Sequence, residues 1–210
     1  MMTTGQESKW IQAVNGDPEA SVSAPVAVAR LPLGPARPQK GIGPMAGAGH
    51  LGRRKIDGSP GGLWVLGTHG GAGEATIASM LDGSMRASHA WPVREDLPLL
   101  EGKDSALLVC RSNAKGLRSA QSAAIEWASG ALDPLALAGL VIVSDAPSKL
   151  PKDLQDLIIT VSGAVPHMWR MPWVEDWRRG LSPVLPDLPR QVRNVVADIQ
   201  LHTAAHTPSQ

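Results

Sequence analysis

Residues 67–76, with the sequence GTHGGAGEAT, follow the apolar run Leu63–Leu66 and precede Glu74–Leu81, which the sequence predicts to be a helix. A strand, a glycine-rich turn and a helix in this order present a row of backbone N–H groups, a common arrangement for binding phosphate. The residue after Gly73 is a glutamate, however, where a nucleotide-hydrolysing loop carries lysine. The stretch therefore predicts a phosphate-binding loop without its main positive charge.

Composition excludes several classes of protein. The 210 residues allow one domain with tails or two small domains, and the formal net charge of +1 points to no class of partner. The chain has no apolar run of about twenty residues and no apolar segment typical of a secretion signal near Met1–Asp17, so we expect a cytoplasmic protein without a membrane span. Cys110 is a lone cysteine within an apolar run, which predicts a buried core residue rather than a disulfide or a zinc ligand. We predict no metal site.

The chain divides into three predicted regions. Residues 1–60 are rich in Pro, Ala and Gly with scattered basic side chains, which predicts a disordered basic arm that is able to contact nucleic acid. Residues 61–181 form the predicted folded domain. Residues 182–210 form a tail with a short helix at Arg190–His202, whose apolar stripe would dock on the domain or serve a partner.

Within the domain, apolar runs alternate with helical patterns, which predicts an α/β fold with a small, mostly parallel sheet and flanking helices. The predicted strands are Leu63–Gly67, His89–Val93, Ser105–Arg111, Leu140–Ser144 and Val165–Met171, and the predicted helices are Glu74–Leu81, Asn113–Ser129 and Pro151–Val161. Ligands bind at the carboxyl ends of the strands in such sheets. The glycine-rich stretch, Asp145 and Pro172 should therefore lie along one rim.

Aligned on Gly73, the stretch resembles the deviant phosphate loop of the ParA/MinD family, whose pattern is Lys-Gly-Gly-x-Gly-Lys-Ser/Thr-Thr. The matching residues are Gly70, Gly71, Gly73 and Thr76. His69 replaces the signature lysine, Glu74 replaces the lysine that contacts the outer phosphates, and Ala75 replaces the hydroxyl that ligates magnesium. A carboxylate at position 74 would repel a polyphosphate by about 1 kcal/mol or more, which a protonated His69 would offset in part.

The resemblance covers Gly61–Leu181 and implies a shortened P-loop NTPase-like domain. In that family a central strand precedes a helix like Asn113–Ser129, and later strand ends flank the base and ribose. The corresponding rim residues here are Asp145, Pro172 and Trp173. The chain also resembles small, degenerate proteins of this type that mobile elements of GC-rich bacteria carry near conjugation genes.

The resemblance implies an accessory protein of a DNA-partition or conjugation system that binds ATP or ADP and hydrolyses ATP weakly or not at all. With Ala75 at the hydroxyl position, it provides no loop ligand for magnesium. The implied phosphate-binding residues are Thr68, His69, Gly70, Gly71, Ala72, Gly73, Glu74, Ala75 and Thr76. The implied partner is a DNA-transfer or partition protein, and dimerisation over the nucleotide is a common property of the family.

Two other interpretations stay open. The spacing of Gly67, Gly71 and Gly73 also resembles short-chain dehydrogenases, but the chain has no tyrosine for their catalysis, so only a dinucleotide-binding relic would remain. Alternatively, the glycines only form a tight turn, and a surface containing Trp173, Trp177 and neighbouring arginines binds another protein. Because the chain has no Phe or Tyr, we expect at least one tryptophan of this cluster to belong to the core.

Overall fold

The structure is a computed structural model that describes residues 33–39, 41, 43, 50–58, 61–95 and 104–204. In chain order the elements are β1 (Gly52–Lys55), β2 (Gly62–Gly67), α1 (Glu74–Ala78), β3 (Met85–Arg86), β4 (Ala90–Val93), β5 (Asp104–Arg111), α2 (Ala114–Ala128), β6 (Ala136–Val143), α3 (Lys152–Ser162), β7 (Met168–Met171), α4 (Glu175–Arg178), a 3-10 helix (Leu185–Asp187) and α5 (Arg190–Ala204).

Five strands form a parallel sheet in the order β3-β2-β5-β6-β7, and β1 and β4 form a separate parallel pair. The predicted α/β class with a mostly parallel sheet and flanking helices is confirmed. From β2 the chain proceeds to β3 on one side, and from β5 it proceeds to β6 and β7 on the other. The winding direction therefore reverses between β2 and β5, and the crevice at such a reversal is the usual ligand site of an open α/β sheet.

The sheet is covered on both faces because its central strands are apolar throughout. Along β5, alternate residues such as Leu108 and Cys110 face one core with α2 and α3, whereas Leu107 and Val109 face another core with α1 and α5. This two-sided burial explains why β5 and β6 have near-continuous apolar sequences rather than alternating ones. The buried position predicted for Cys110 is confirmed.

Helix α2 begins and packs as its sequence predicts. The Asn113 side chain accepts a hydrogen bond from the Gly116 N–H at 2.8 Å, which is the expected N-cap interaction. Gly116 then lies so close to the end of β5 that an added Cβ would be 2.4 Å from the Arg111 carbonyl oxygen. The helix and the strand end are therefore in backbone contact at the rim of the sheet.

The expectation of a featureless arm before residue 61 is wrong for residues 50–58. β1 pairs with β4, and Ile56 is buried in the core beside α2. Farther upstream, the Gly34 N–H donates to the Val165 carbonyl at 2.7 Å. A four-residue strand with the sequence GRRK has no apolar alternation, so the pattern gave no signal for it. The rest of the predicted arm, including residues 1–32, lies outside the described residues.

The C-terminal helix belongs to the folded domain. Val192, Val196 and Ile199 of α5 are buried against the sheet, and Asp198 accepts a hydrogen bond from the Trp169 indole at 2.7 Å. Of the two alternatives left open for this helix, docking is the one observed, and the domain extends past residue 181. Among the helices that the structure describes, none is long and apolar enough to cross a membrane.

The buried thiol of Cys110 gives a direct test of this core. Burial raises the pKa of Cys110 to about 12 from 9.0. At pH 8 this lowers the thiolate fraction about a thousandfold, so we expect a thiol–disulfide exchange reagent to leave native protein unmodified. In denaturant the same reagent should modify one thiol per chain. Stoichiometric modification of native protein within minutes would contradict the buried position.

Because the folded pKa lies above the unfolded value, the stability linked to this thiol is complete below pH 9. It should decline as the pH rises from 9 toward 12, where the unfolded chain ionises and the folded chain does not. Urea titrations between pH 8 and pH 10.5 measure this decline. Cys110→Ala should reduce the pH dependence over the same interval.

Candidate functional site

The glycine-rich loop connects β2 to α1 at the carboxyl edge of the sheet. Gly71 and Gly73 have φ angles of 75° and 101°, which side-chain-bearing residues rarely adopt. α1 ends at Ala78, three residues earlier than predicted, because the chain continues in tight turns with the Met80 N–H on the Ile77 carbonyl. The loop therefore has the sharp strand-to-helix geometry that the sequence indicated.

A cleft of about 420 Å³ lies beside this loop. Its lining residues are His69, Gly70, Gly71, Arg111, Asn113, Lys115, Val143, Ser144, Asp145, Trp173, Val174, Trp177 and Arg178. The structure thus brings together the loop and two of the predicted rim residues, Asp145 and Trp173. Pro172 follows the end of β7 and is half-buried, but it does not line the cleft.

The loop amides divide into two groups. The Thr68 N–H donates to the Val109 carbonyl at 2.9 Å, and the Ala72 N–H donates to the His69 carbonyl at 3.2 Å. Both residues are buried, so they are not available as the phosphate-binding groups that the sequence predicted. In the described part of the chain, no acceptor takes the N–H of Gly70 or Gly71. The same holds for the backbone N–H groups of Gly73, Glu74, Ala75 and Thr76, although these four do not line the cleft.

Glu74 does not face the cleft, so the expected repulsion between its carboxylate and a bound phosphate is wrong. The side chain is 3% exposed and accepts three backbone hydrogen bonds. The donors are the N–H groups of Gly67 at 2.9 Å, Ser88 at 2.8 Å and His89 at 3.1 Å. The buried Glu74 carboxylate therefore stabilises the loop through three hydrogen bonds from the neighbouring backbone.

The turn before β4 completes this arrangement. Ser88 and His89 both have positive φ angles, and the Nδ1 of His89 lies 2.8 Å from the Gly67 carbonyl oxygen and 3.5 Å from a Glu74 oxygen. A Cβ on Gly67 would be 2.8 Å from the His89 ring. Gly67 is therefore a glycine because the His89 side chain packs directly on the strand end. His89 is therefore a rim residue whose Nδ1 contacts the end of β2.

His69 is held as a neutral imidazole. Its Nε2 accepts the Arg111 backbone N–H at 3.1 Å, and its Nδ1 lies 2.9 Å from the Gly70 carbonyl oxygen, to which it donates. With one ring nitrogen accepting and the other donating, the ring does not supply the positive charge that the sequence analysis considered.

The positive charge of the cleft comes from Arg111 and Lys115, which lie outside the loop and were not predicted as site residues. Arg111, at the end of β5, donates from Nε to the Gly71 carbonyl at 3.1 Å and from Nη1 to the Ser144 carbonyl at 3.3 Å. Among the described residues, no carboxylate lies within 4.0 Å of Arg111 or of Lys115. Arg178 is paired with Glu175 at 2.9 Å. The position of Arg111 at the carboxyl end of a predicted strand, where ligands bind in such sheets, is the sequence feature that could have identified it.

The three neighbouring tryptophans have different environments. Trp169 is buried in the core, which confirms that at least one of them has a packing role. Trp173 and Trp177 line the cleft, and the Trp173 indole donates to Glu175 at 3.2 Å. The Nε1 of Trp177 is buried and has no hydrogen-bond partner among the described residues. The cleft is therefore lined by two tryptophans as well as by basic residues.

The residues of the site do not fit a resident magnesium ion. Ala75 supplies no hydroxyl, and the Glu74 carboxylate is occupied by backbone donors. In residues 33–95 and 104–204, as far as they are described, no group of three His, Cys, Asp or Glu side chains could hold a metal ion. Asp145 alone offers a carboxylate to the cleft.

Replacing Glu74 tests its structural role. Glu74→Lys would place a buried ammonium among three N–H donors, so we expect a loss of about 3–5 kcal/mol in unfolding free energy. Glu74→Gln keeps one carbonyl oxygen and should cost less, about 1–3 kcal/mol. Urea denaturation measures both, with the exposed Glu175→Gln as a control. A Glu74→Lys protein as stable as the wild type would show that the side chain instead faces solvent.

Comparison with known proteins gives one family. No curated protein and no solved structure matches the chain. The model of the family described as "Family of unknown function (DUF6668)" matches residues 61–196, a span that runs from β2 into α5 and includes the loop, the cleft and both covered faces of the sheet. Because this match spans well over half of the sequence, the chain belongs to the DUF6668 family.

Proposed function

We propose that the protein binds a nucleotide or a related phosphate compound in the cleft beside the glycine-rich loop and hydrolyses ATP weakly or not at all. The observation that carries this proposal is Gly70. It has no positive φ angle, and nothing lies within 4 Å of where its Cβ would be, so the fold itself does not require a glycine there. A glycine that lines a cleft without a structural need is typical of a backbone that a ligand approaches closely.

The electrostatics of the cleft support an anionic ligand. Arg111 and Lys115 have no carboxylate partner within 4.0 Å among the described residues, whereas Asp145 is the one carboxylate in the lining. A guanidinium is well suited to phosphate because it donates two parallel hydrogen bonds. The volume of about 420 Å³ is within the usual range for small-molecule sites, and the Trp173 ring offers a face for a base.

The absence of the usual hydrolytic residues from the loop supports weak or no turnover. The lysine position is a buried glutamate, the hydroxyl position is Ala75, and the signature lysine position is a neutral His69. Phosphoryl transfer depends on positive charge placed against the transferred group and on a bound metal ion. In the cleft, Arg111 and Lys115 supply positive charge that is not paired with a carboxylate, whereas Arg178 is paired with Glu175, and the described lining residues do not form a metal site.

The wider role that we propose follows from the loop's resemblance to the ParA/MinD family. On that basis the protein is a cytoplasmic accessory component of a DNA-partition or conjugation system, and nucleotide binding regulates its contact with a protein partner or with a second copy. Contact with nucleic acid would involve the basic residues before residue 61. These steps depend on resemblance, since fold and site alone do not specify a partner.

A second candidate function is a protein-interaction module that works without a ligand. Leu181 and Val184, which follow the tryptophan-containing segment, are 54% and 56% exposed. Exposed apolar side chains near aromatic and arginine residues are typical of a partner-binding surface. Co-purification of a partner that Trp173→Ala abolishes, with no effect of nucleotide, would favour this function.

Paired substitutions on α2 test nucleotide binding. Lys115 lines the cleft, whereas Arg118 is exposed on the same helix outside it. We expect Lys115→Ala to weaken ADP and ATP binding about tenfold, since it removes a charged phosphate contact, and Arg118→Ala to leave binding unchanged. Isothermal titration of each variant with ADP and ATP, with and without magnesium, measures the change in affinity. If millimolar nucleotide gives no heat of binding and no shift in melting temperature, the proposal is refuted. Competition by NADH but not by ATP would favour the dinucleotide interpretation.

Gly70→Val tests the loop itself. Because the Cβ position is open and φ is not positive, unfolding free energy should stay within about 0.5 kcal/mol of wild type or rise slightly. Nucleotide affinity should fall at least about tenfold, since the new side chain obstructs the backbone amides. Unchanged affinity in a stable Gly70→Val protein would show that no ligand approaches this glycine.

A further inference from the structure

A second chamber of about 380 Å³ adjoins the cleft on the side of α3. The two chambers share Asn113, Ser144 and Asp145, which lie at the carboxyl ends of β5 and β6. The remaining polar lining of the second chamber comes from Ser112, Ser148, Lys149, Gln155 and Arg170. A ligand that occupies both chambers therefore crosses the rim of the sheet above β6.

The shared boundary carries a carboxylate in a fixed position. The Asn113 side chain donates to Asp145 Oδ2 at 3.1 Å, and the Asp145 backbone N–H donates to Ser112 Oγ at 2.9 Å. Asp145 is exposed, so its other oxygen is open to a ligand. A carboxylate repels phosphate and accepts hydrogen bonds from hydroxyl or amino groups. The middle of the combined site therefore suits a neutral donor such as a ribose hydroxyl.

Positive charge lies on both sides of this boundary. Arg111 and Lys115 line the first chamber, and Lys149 and Arg170 line the second. Arg170 projects to the α3 side of the sheet because it alternates with the buried Trp169 and Met171 along β7. Within the described residues, no carboxylate lies within 4.0 Å of Lys149 or Arg170. Apart from Arg178, which is paired with Glu175, the lining therefore places two cations on each side of the Asp145 carboxylate in the order cations, carboxylate, cations.

From this order we infer that the ligand is a nucleotide with two separate phosphate groups, one in each chamber, and a hydroxyl-bearing sugar at Asp145. This inference rests on the proposed function and specifies its ligand class. A linear diphosphate or triphosphate keeps its charges contiguous, so it fills the first chamber and leaves Lys149 and Arg170 without a partner. A phosphate on each side of the sugar satisfies both pairs of cations and avoids the carboxylate between them.

Two ligands of similar size test the inference: adenosine 3′,5′-bisphosphate, with separated phosphates, and ADP, with adjacent ones. Isothermal titration of the full chain should show at least about tenfold tighter binding of the 3′,5′-bisphosphate, because two more charge-assisted hydrogen bonds form. The double variant Lys149→Ala/Arg170→Ala should abolish this preference and leave ADP affinity unchanged. The matched control is Lys152→Ala/Arg118→Ala, which removes two exposed basic side chains outside both chambers and should keep the preference.

Equal affinity of the wild type for the two ligands would overturn the inference. An equal loss of affinity for both ligands in the double variant would also overturn it. If ADP binding depends on Lys115 and no preference for the 3′,5′-bisphosphate exists, the inference fails and the proposed nucleotide-binding function stands. If neither ligand binds, both fail. Asp145→Ala gives an independent readout. It should weaken binding of the 3′,5′-bisphosphate more than binding of inorganic phosphate, because inorganic phosphate does not reach the sugar position.

Discussion

The buried carboxylate of Glu74 is the interaction on which the geometry of the site depends. It accepts the N–H groups of Gly67, at the end of β2, and of Ser88 and His89, in the turn before β4. The first residue of α1 thus joins three segments that meet at the rim. Since a buried carboxylate is costly without such donors, the strand end, the loop and the turn have to adopt their positions together.

The loop differs from the nucleotide-hydrolysing loop that it resembles in the role of the residue after the last glycine. There, the lysine after the last glycine faces the phosphates. Here, the residue at that position faces the protein and supports the loop, and the positive charge enters from Arg111 and Lys115 on neighbouring elements. Among the described residues, no acceptor takes the backbone N–H groups of Gly70 and Gly71, so these amides could serve the anion binding that we propose without a lysine.

The sequence predicted the elements with strong apolar patterns and failed where a pattern was absent or where contacts are distant in the chain. Continuous apolar runs identified β5 and β6, and Asn113 identified the start of α2 correctly. β1 has no apolar alternation, so it was not predicted. The direction of the Glu74 side chain depends on a turn fourteen residues later with two positive φ angles, which single-sequence patterns do not reveal.

Within the site, the rim positions of the loop and Asp145 were predicted from sheet topology and that of Trp173 from the family resemblance, whereas Arg111 was not predicted as a site residue. Its guanidinium donates to two backbone carbonyls, which hold it at the mouth of the cleft without neutralising its charge. Carbonyls are weaker partners than carboxylates, so in the proposed function a phosphate would compete with them at modest cost. An arginine placed this way is already oriented before a ligand arrives, which reduces the entropy lost on binding. Under the function that we propose, Arg111 would therefore be oriented for an anion although no sequence motif surrounds it.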